Sequence, residues 1–282
     1  MDSTVHVIGA SGRSGVALCR ALIEHGTMFV PVVRSAERWA ATGLPGPPRG
    51  ADLEGDGLPA ALAGASAIVS CAHARHTAAI LAAAPADARL VCLGSTRKFT
   101  HWPDAHGNGV LAGERALLAS GRRAVMLHPT MIYGAAGEDN VQRLAALLGR
   151  LPLVPLPGGG RALVQPIHQA DVTRSLRAAL EMALDGPEAI VIAGPEPLPY
   201  ADFVRAVAQA AGLSRPRIVP VPAAALLALA PLTRLPLLPR IRGAEVRRLL
   251  EDKAFSVAPM RVRLGVLPMP LPDGLALTFG RR

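Results

Sequence analysis

The 282-residue sequence is poor in cysteine, lysine and aromatic residues, and each shortage excludes a class of protein. Its three cysteines, Cys19, Cys71 and Cys92, all lie in apolar or amphipathic segments. We therefore expect buried thiols, and neither a disulfide framework nor a metal cluster. This use of cysteine favours a reducing, cytoplasmic location. No basic segment precedes the first apolar run, so we expect no signal peptide.

The positive charge of the chain is carried almost entirely by arginine. The formal net charge is +9, and the basic residues include only two lysines, Lys98 and Lys253. A basic protein can bind nucleic acid, but these arginines are scattered along the chain. Five phenylalanines, two tyrosines and two tryptophans offer few rings for base stacking. Nucleic acid is therefore not an expected partner.

Long hydrophobic runs are also missing. No stretch reaches the roughly 20 apolar residues that cross a bilayer, and the nearest, 218–233, contains three prolines. The segment 223–238 is rich in alanine, leucine and proline. It is either a helix over a substrate cleft followed by a linker, or a surface that docks on a protein or a membrane.

The first fifteen residues carry the strongest motif. An apolar strand, Val5–Ile8, leads directly into Gly9-x-x-Gly12-x-x-Gly15 and then into a helical pattern. Closely spaced glycines let the backbone turn tightly beside a pyrophosphate, and the free N–H groups of the next helix bind its charge. The spacing differs from the usual Gly-x-Gly-x-x-Gly, but its place between a strand and a helix predicts a nucleotide-binding turn.

Strand and helix patterns alternate along most of the chain. Apolar runs predict strands at 5–8, 29–33, 67–71, 90–93, 124–127, 163–167 and 189–193. Helical spacing predicts helices at 16–25, 58–62, 77–84, 110–120 and 171–184. This alternation is typical of an α/β protein with a doubly wound parallel Rossmann sheet. We assign 1–134 and 161–195 to a nucleotide-binding domain, and 135–160 and 196–282 to a smaller substrate or partner lobe.

Five motifs in a fixed order give the sequence a family resemblance. They are Gly9-x-x-Gly12-x-x-Gly15, Asp52-Leu53, Leu93-Gly94-Ser95-Thr96, the segment 127–134 and the segment 166–172. Together they resemble the extended or atypical short-chain dehydrogenase/reductase superfamily. Residues 252–255 and Leu264-Gly265 look like the C-terminal part of its NAD-dependent epimerase/dehydratase branch.

The choice of cofactor can be argued from charge. Sites that prefer NAD place a carboxylate after the second strand, whereas a 2′-phosphate needs a cation there. This chain has Arg34 at that point and no acidic residue before Glu37. Arg13 is either a second cation for the phosphate or a solvated residue of the first helical turn. A guanidinium forks onto phosphate oxygens, so the sequence favours NADP(H) over NAD(H).

The resemblance also implies a set of cofactor contacts. Asp52 and Leu53 are expected against the adenine, and Cys71, Ala72 and His73 along the path from pyrophosphate to nicotinamide. Alternatively, His73 is an ordinary packed or solvated histidine of the loop. The expected cofactor-binding residues are Gly9, Ser11, Gly12, Arg13, Ser14, Gly15, Arg34, Asp52, Leu53, Cys71, Ala72 and His73.

The catalytic positions depart from the family. Members that reduce or oxidise substrates use a tyrosine and, four residues later, a lysine that lowers the pKa of the tyrosine. Only Tyr133 and Tyr200 exist, and neither has such a lysine. Aligning Gly113-Glu114 with the family's glutamate places His106 at the tyrosine position and Val110 at the lysine position. A valine supplies neither charge nor a proton.

Three functions remain open: an oxidoreductase on a small organic substrate, a nucleotide-binding scaffold similar to the Rossmann-type accessory subunit of respiratory complex I, and a redox-sensing regulator. For the oxidoreductase, Ser95 at a strand end is the best-placed group for the substrate oxygen, and otherwise it caps a turn. His106 titrates near neutral pH, and otherwise belongs to a plain loop. Lys98 either approaches the cofactor or faces solvent. His101 and Tyr133 are weaker candidates.

Two further residues are assigned to structure, and the substrate is not specified. Asp171 is expected to cap the helix that follows it, and His128 to lie at the edge of the core. Arg143, Arg150 and Arg161 are compatible with a hydrophobic or an acidic small molecule, and equally with solvated arginines.

Overall fold

The computed structural model describes residues 4–134, 140–151, 153–225 and 243–280. Its strands are β1 (Val5–Ile8), β2 (Phe29–Val33), β3 (Arg49–Gly50), β4 (Ala67–Ser70), β5 (Arg89–Leu93), β6 (Ala124–Pro129), β7 (Ile132–Tyr133), β8 (Leu153–Pro157), β9 (Leu163–Val164), β10 (Ile167–His168), β11 (Glu188–Ile192), β12 (Leu198–Pro199) and β13 (Arg217–Val221). Its helices are α1 (Arg13–Glu24), α2 (Ala36–Ala40), α3 (Leu58–Leu62), α4 (Thr77–Ala83), α5 (Ala105–Ala119), α6 (Asn140–Leu148), α7 (Gln169–Glu181), α8 (Tyr200–Ala210), α9 (Gly243–Arg248), α10 (Ala258–Leu264) and α11 (Leu271–Phe279).

A seven-stranded parallel sheet forms the centre of the molecule. Its order is β11-β6-β5-β4-β1-β2-β3, which confirms the predicted α/β Rossmann architecture. Ile8 pairs with both Val32 and Ser70, so β1, β2 and β4 end abreast. The loops that follow these three strands therefore meet at one edge, where ligands of such sheets bind.

Helices cover both faces of this sheet. On one face, Leu18 of α1 and Leu176 of α7 share a buried apolar cluster with Met260 of α10. On the other face, α3, α4 and α5 contribute Leu62, Ile80 and Leu117 to a second cluster. Strands buried on both faces explain why the sequence reads as continuous apolar runs and not as alternating patterns.

A third apolar cluster lies outside the central sheet. It joins residues of α6, β8, α8 and α11, among them Val141, Val154, Phe203 and Leu275. Two-stranded pairs, β13 with β8 and β12 with β9, belong to this part of the molecule. The C-terminal chain serves both regions, because α10 packs on the central sheet whereas α11 packs on α8.

The prediction that 163–167 forms a strand of the central sheet is wrong. Leu163–Val164 pairs antiparallel with β12, and Ile167–His168 pairs with β7. The break falls at Gln165 and Pro166, because proline has no N–H to donate. The Gln165 amide instead donates to Gly194 O at 2.8 Å and to Phe255 O at 3.1 Å. That side chain thus ties the segment to the C-terminal chain.

The arginine-rich composition has a structural use at helix ends. Arg49 donates to the carbonyls of Ala61 and Ala63 after α3, and Arg89 donates to carbonyls at the end of α7. Arg122 donates to four carbonyls around the end of α4, those of Leu81, Ala84, Pro85 and Ala88. The last carbonyls of a helix lack partners within it, and a cation there also complements the helix dipole.

We expect Arg122→Ala to lower the free energy of unfolding by about 2 kcal/mol, because several half-buried carbonyls lose their donor at once. Urea denaturation measures this change. The matched control is Arg115→Ala, which removes an exposed arginine of α5 and should change stability by less than about 0.5 kcal/mol. Equal effects of the two variants would contradict the capping role of Arg122.

Among the described residues, no helix has the length and apolar character needed to cross a membrane. The segment 223–238, which the sequence marks as a docking surface or a helix followed by a linker, falls largely outside the described residues.

Candidate functional site

A cleft of about 430 Å³ lies beyond the carboxyl ends of β1, β2 and β4. Its walls come from four stretches of chain within 8–12, 32–38, 51–54 and 71–76. Its volume lies within the range of small-molecule and cofactor sites. A larger cavity of about 660 Å³ at the end of α8 lies away from these strand ends and is lined mostly by exposed residues.

The glycine turn after β1 forms the floor of the cleft. Gly9 has φ +73°, which side-chain-bearing residues rarely adopt. A Cβ at Gly15 would overlap the carbonyl oxygen of Gly9, so only glycine lets the helix approach this turn. Gly12 is the N-cap of α1 and provides no side-chain cap. No side chain at the N-cap covers the start of α1, which is the arrangement of anion-binding helix termini.

Two residues of the predicted loop, Arg13 and Ser14, do not line the cleft. Ser11 and Gly12 line the cleft, but Ser14 donates its hydroxyl to Gln169 Oε1 of α7 at 3.0 Å. Arg13 is exposed at the first position of α1 and is not among the lining residues. The structure thus brings Ser11 to the cleft, and uses Ser14 to join α1 to α7.

Two arginines form the rim on the β2 side. Arg34 directly follows β2, and Arg38 lies on α2; both line the cleft and both are exposed. Between them, Ser35 caps the short helix α2, because its hydroxyl accepts the backbone N–H of Arg38 at 3.2 Å. Sequence reasoning missed Arg38. Its signal was the serine cap, which predicts a short helix directly after β2, with Arg38 in its first turn.

The opposite wall contains the other predicted contact residues. Asp52 and Leu53 lie on the loop after β3, and Asp52 accepts the N–H of Glu54 at 3.1 Å. Cys71 and Ala72 follow β4 and touch the glycine turn, since a Cβ at Gly9 would lie 3.3 Å from Ala72 N. Burial raises the pKa of the Cys71 thiol, so that thiol stays protonated and serves as a lining group.

His73 connects this cleft to α5. Its Nδ1 accepts the N–H of Arg75 at 3.0 Å, so the hydrogen of the neutral ring is on Nε2. Its ring meets that of His106 edge to face, with centroids 4.3 Å apart. A Cβ at Gly109 would lie 3.0 Å from the His73 ring, so the absence of a side chain there allows this contact.

The sequence-based start of α5 at residue 110 is wrong, and His106 belongs to no plain loop. The helix begins at Ala105, capped by Asp104, whose Oδ1 accepts the N–H of Gly107 at 2.8 Å. Arg97 donates to the same carboxylate from the turn after β5. The capping aspartate and its arginine offset the low helix propensity of Gly107 and Gly109.

A buried polar cluster adjoins Ser95 at the ends of β5 and β6. We call Lys98, Glu114 and His128 the Lys98 cluster. The side chains of Lys98 and Glu114 are 9% and 15% exposed and form an ion pair. His128 is fully buried, accepts the N–H of Ser95 on Nδ1 at 3.1 Å, and places Nε2 2.5 Å from Glu114 Oε2. Lys98 therefore faces Glu114 and not solvent.

The two other polar candidates are placed away from the cleft. Tyr133 is 1% exposed and packs edge to face on His168, and burial raises the pKa of its hydroxyl. His101 is exposed, and its backbone N–H donates to Glu251. Neither residue lines the cleft.

Asp171 is structural, but it is not the cap of α7. The cap is His168, whose Nδ1 accepts the N–H of Ala170 at 3.2 Å. Asp171 lies in the first turn, fully buried, and accepts the N–H of Met269 at 2.8 Å and a bond from Arg174. The carboxylate therefore anchors the C-terminal chain to α7.

Comparison with known proteins rests on structure. Neither a protein-family model nor a curated protein matches this sequence. A UDP-glucuronic acid 4-epimerase from Bacillus cereus, solved with UDP-glucuronic acid and NAD, is 17% identical, with a TM-score of 0.74 over 98% of both chains. An NADPH-dependent quinone oxidoreductase from Escherichia coli, solved with NADPH, is also 17% identical, with a TM-score of 0.74 over 98% of this chain and 99% of that one. The chain has the fold of these two structures. A third structure, a short-chain dehydrogenase/reductase superfamily protein from Agrobacterium tumefaciens with bound NAD, is 17% identical, with a TM-score of 0.71 over 99% of this chain and 97% of that one.

Helix α5 departs from the tyrosine and lysine pattern of the superfamily that the sequence resembles. Val110 is 1% exposed and packs in the apolar cluster of α3, α4 and α5. His106, one turn earlier, is exposed beside His73. Lys98, from the loop that follows β5, forms its ion pair with Glu114, one turn after Val110.

Sequence reasoning had not joined the three members of the Lys98 cluster. Glu114 served only to align the helix, and His128 was placed at the core edge. The available signal was a lysine, a glutamate and a histidine near the ends of neighbouring elements. Nothing in their spacing specified that the three side chains meet.

The buried histidine of this cluster predicts a pH dependence of stability. Burial, and then the Lys98 ammonium, lower the pKa of His128 to about 4, although Glu114 opposes this. The unfolded chain takes up this proton near pH 6.5, so stability is lost as pH falls from about 6.5 towards 4, by about 3 kcal/mol. Urea denaturation at pH 7 and pH 4.5 measures this loss.

The control for that prediction is His128→Gln, which keeps an acceptor for Ser95 and a donor for Glu114 but cannot titrate. We expect the stability of this variant to vary less with pH than that of the wild type. Equal pH dependence in the two proteins would contradict the neutral state of His128.

Proposed function

We propose that the protein binds NADP(H) and is an oxidoreductase on a small organic substrate. The observation that carries this proposal is the pair Arg34 and Arg38, which line the cleft beside a glycine turn that opens onto the N-terminus of α1. A ribose 2′-phosphate needs cations where NAD-preferring sites place a carboxylate. Glu37, the first acidic residue after β2 in the sequence, instead accepts the hydroxyl of Ser35 at 3.3 Å.

The described residues fit each part of such a dinucleotide. The N–H groups at the start of α1 bind the diphosphate, because no side chain blocks Gly9, Gly12 or Gly15. Asp52 and Leu53 hold the adenine end, and Cys71, Ala72 and His73 line the way to the nicotinamide end. Ser11 contributes a hydroxyl beside the diphosphate. Arg13 and Ser14 support the turn from its helical side.

Ser95 is the proposed contact for the substrate oxygen. Its hydroxyl accepts the N–H of Arg97 at 3.1 Å, so the hydroxyl hydrogen is left to donate to a substrate. When bound, the cofactor supplies or removes a hydride. The protein then has to position the reacting carbon and supply a proton. Lys98 is the proposed source of positive charge, and His106 is the proposed proton donor.

Titration of the purified protein with NADPH and with NADH, followed by nicotinamide fluorescence, tests the cofactor proposal. We expect NADPH to bind at least about tenfold more tightly, because a charge-assisted contact to the 2′-phosphate is lost with NADH. Equal affinities would contradict the role of the two arginines. No binding of either nucleotide would contradict the proposal as a whole.

A nucleotide-binding scaffold is the second candidate, favoured by the buried Val110 where a catalytic lysine is expected. Screening aldehydes, ketones and enones with NADPH separates the two. As an oxidoreductase, the protein should lose turnover in Ser95→Ala and His106→Gln with little change in cofactor affinity. As a scaffold, it should consume no substrate, although the nucleotide raises its melting temperature.

We further propose a cytoplasmic location, because the three cysteines are free thiols. The substrate is proposed to enter from the side of the smaller lobe, 135–160 and 196–282.

A further inference from the structure

Two aromatic side chains stand half-exposed on the loop that follows β5. Phe99 and Trp102 are each 49% exposed. No other phenylalanine, tyrosine or tryptophan of the described residues is as exposed, although the chain is poor in aromatic residues. Burial of an aromatic ring is strongly favourable, so two neighbouring rings kept at the surface of one loop point to a contact with another molecule.

The loop that carries both rings is held by hydrogen bonds to other elements. The Glu251 carboxylate, from the chain after α9, accepts the Thr100 hydroxyl at 2.7 Å and the N–H of His101 at 2.7 Å. These two residues lie between the rings in the sequence. At the start of the loop, the N–H of Ser95 donates to His128 at 3.1 Å. A loop fixed in this way loses little conformational freedom when a ligand covers its rings.

The rings themselves are also held in place. Lys98 Nζ lies 4.7 Å from the centroid of the Phe99 ring, and the guanidinium carbon of Arg247 lies 5.0 Å from that of Trp102. Phe255 packs beside Phe99, with ring centroids 5.5 Å apart. Such contacts favour one orientation of each ring. About half of each side chain still faces solvent, so the loop offers a preformed aromatic surface.

This surface adjoins the proposed contact for the substrate oxygen. Ser95 caps a short 3₁₀ turn that ends at Phe99. Such a turn rises about 2 Å per residue, so the two residues are about 8 Å apart along it. Both also rest on the Lys98 cluster, since Lys98 lies over Phe99 and His128 accepts the N–H of Ser95. A single small molecule can therefore reach both residues.

The size of the surface favours a small ligand over a protein. A fully buried aromatic side chain covers about 150–250 Å², so two half-exposed rings offer about 200 Å². A stable protein interface takes about 800 Å² from each partner. Two rings are too small for such an interface, but they are large enough to cover one face of a small flat molecule.

We propose that Phe99 and Trp102 bind a flat, aromatic or conjugated ring of the substrate. The substrate class is then a planar carbonyl compound, whose ring lies against these side chains and whose oxygen reaches Ser95. Contact between aromatic rings is worth more than the burial of the same apolar area, so flat rings bind better than saturated ones. This inference deepens the proposed function and rests on it, because it takes Ser95 as the contact for the substrate oxygen.

The indole NMR signals of the NADP⁺-loaded protein test this assignment. The chain has two tryptophans, so isotope-labelled protein gives two indole N–H signals, and Trp102→Phe assigns them. Acetophenone is the flat probe. Cyclohexyl methyl ketone has the same carbon skeleton with a puckered ring, and is the matched control. NADP⁺ carries no hydride to transfer, so neither ketone is consumed.

We expect acetophenone to shift the Trp102 signal and to bind about 2- to 10-fold more tightly than the saturated ketone, which is the range for contact between aromatic rings. Trp39 is an internal control that should not shift, because it is 2% exposed and its indole N–H donates to Gly46 O at 2.9 Å. Equal affinity for the two ketones, or a Trp102 signal that does not respond, would overturn the proposal.

Variants of the loop separate the rings from general apolar character. Phe99→Leu and Trp102→Leu keep an apolar side chain, and should weaken acetophenone binding several-fold with little effect on the saturated ketone. For Trp102→Leu, which lacks the reporter, the affinity is measured from the NMR signals of the ketone. Val262→Ala removes an exposed apolar side chain of α10 and should change neither affinity. Equal weakening in all three variants would contradict a defined aromatic site.

Two other outcomes have their own signatures. A Trp102 signal that changes with protein concentration, without ketone, would assign the rings to an interface between two copies and overturn the proposal. If nicotinamide fluorescence shows that neither NADPH nor NADH binds, the cofactor proposal fails. The same titration on nucleotide-free protein then decides the aromatic site alone: a preference for acetophenone supports it, and no preference overturns it.

Discussion

Arg34→Asp is expected to reverse the cofactor preference of this protein. The substitution removes a cation from the rim of the cleft and places a carboxylate where it repels the 2′-phosphate and accepts a ribose hydroxyl. Losing one bidentate charge-assisted contact costs about 1.5–3 kcal/mol, so we expect NADPH affinity to fall by about 100-fold. NADH affinity should hold or improve. Fluorescence titration of both nucleotides measures the reversal.

Two matched variants isolate this effect. Arg20→Asp makes the same charge change on an exposed residue of α1 away from the cleft, and should leave the ratio of affinities unchanged. Arg38→Gln removes the second cation of the rim and should weaken NADPH binding with little effect on NADH. If Arg34→Asp lowers the affinity for both nucleotides equally, the 2′-phosphate is not held at this rim.

Glu114→Ala is expected to destabilise the protein strongly. The substitution leaves the Lys98 ammonium, 9% exposed, without its carboxylate, and also removes the group facing His128 Nε2. Breaking a buried ion pair from one side costs about 3–5 kcal/mol, because the remaining charge is uncompensated. For a chain of this size, the melting temperature should fall by roughly 10 °C. Calorimetry or urea denaturation measures the change.

The double variant Lys98→Met/Glu114→Leu supplies the control. It removes both charges and fills their volume with apolar side chains, so it should be more stable than Glu114→Ala. A double variant no more stable than the single one would show that the cost arises from packing and not from the unpaired charge. Glu114→Ala with wild-type stability would contradict the ion pair itself.

The central fold was readable because its signals are local. The elements β1, β2 and α3 have the predicted bounds. Each is a short apolar run or helical pattern, and its ends are marked by glycine or proline residues or by a change of pattern. The glycine turn was readable because its function requires missing side chains at fixed spacing. The resemblance to the short-chain dehydrogenase/reductase fold followed from the order of such local motifs.

The parts that the sequence did not predict depend on contacts distant in the chain. Residues 163–167 read as an apolar strand, but the pairing of each half is set by partners far along the chain, β12 and β7. His128 on β6 and Glu114 on α5 meet because these two elements pack together. Helix α5 begins early because Asp104 caps it. An aspartate before a helix is a recognisable capping signal, but nothing in the sequence indicates that Arg97 holds its carboxylate.

A crystal structure of the protein with NADP⁺ would test the central claim most directly. The account predicts the diphosphate against the first N–H groups of α1 and the 2′-phosphate between Arg34 and Arg38, with the nicotinamide ring toward Ser95. Nucleotide bound elsewhere, or a cleft closed by side chains at saturating NADP⁺, would contradict it.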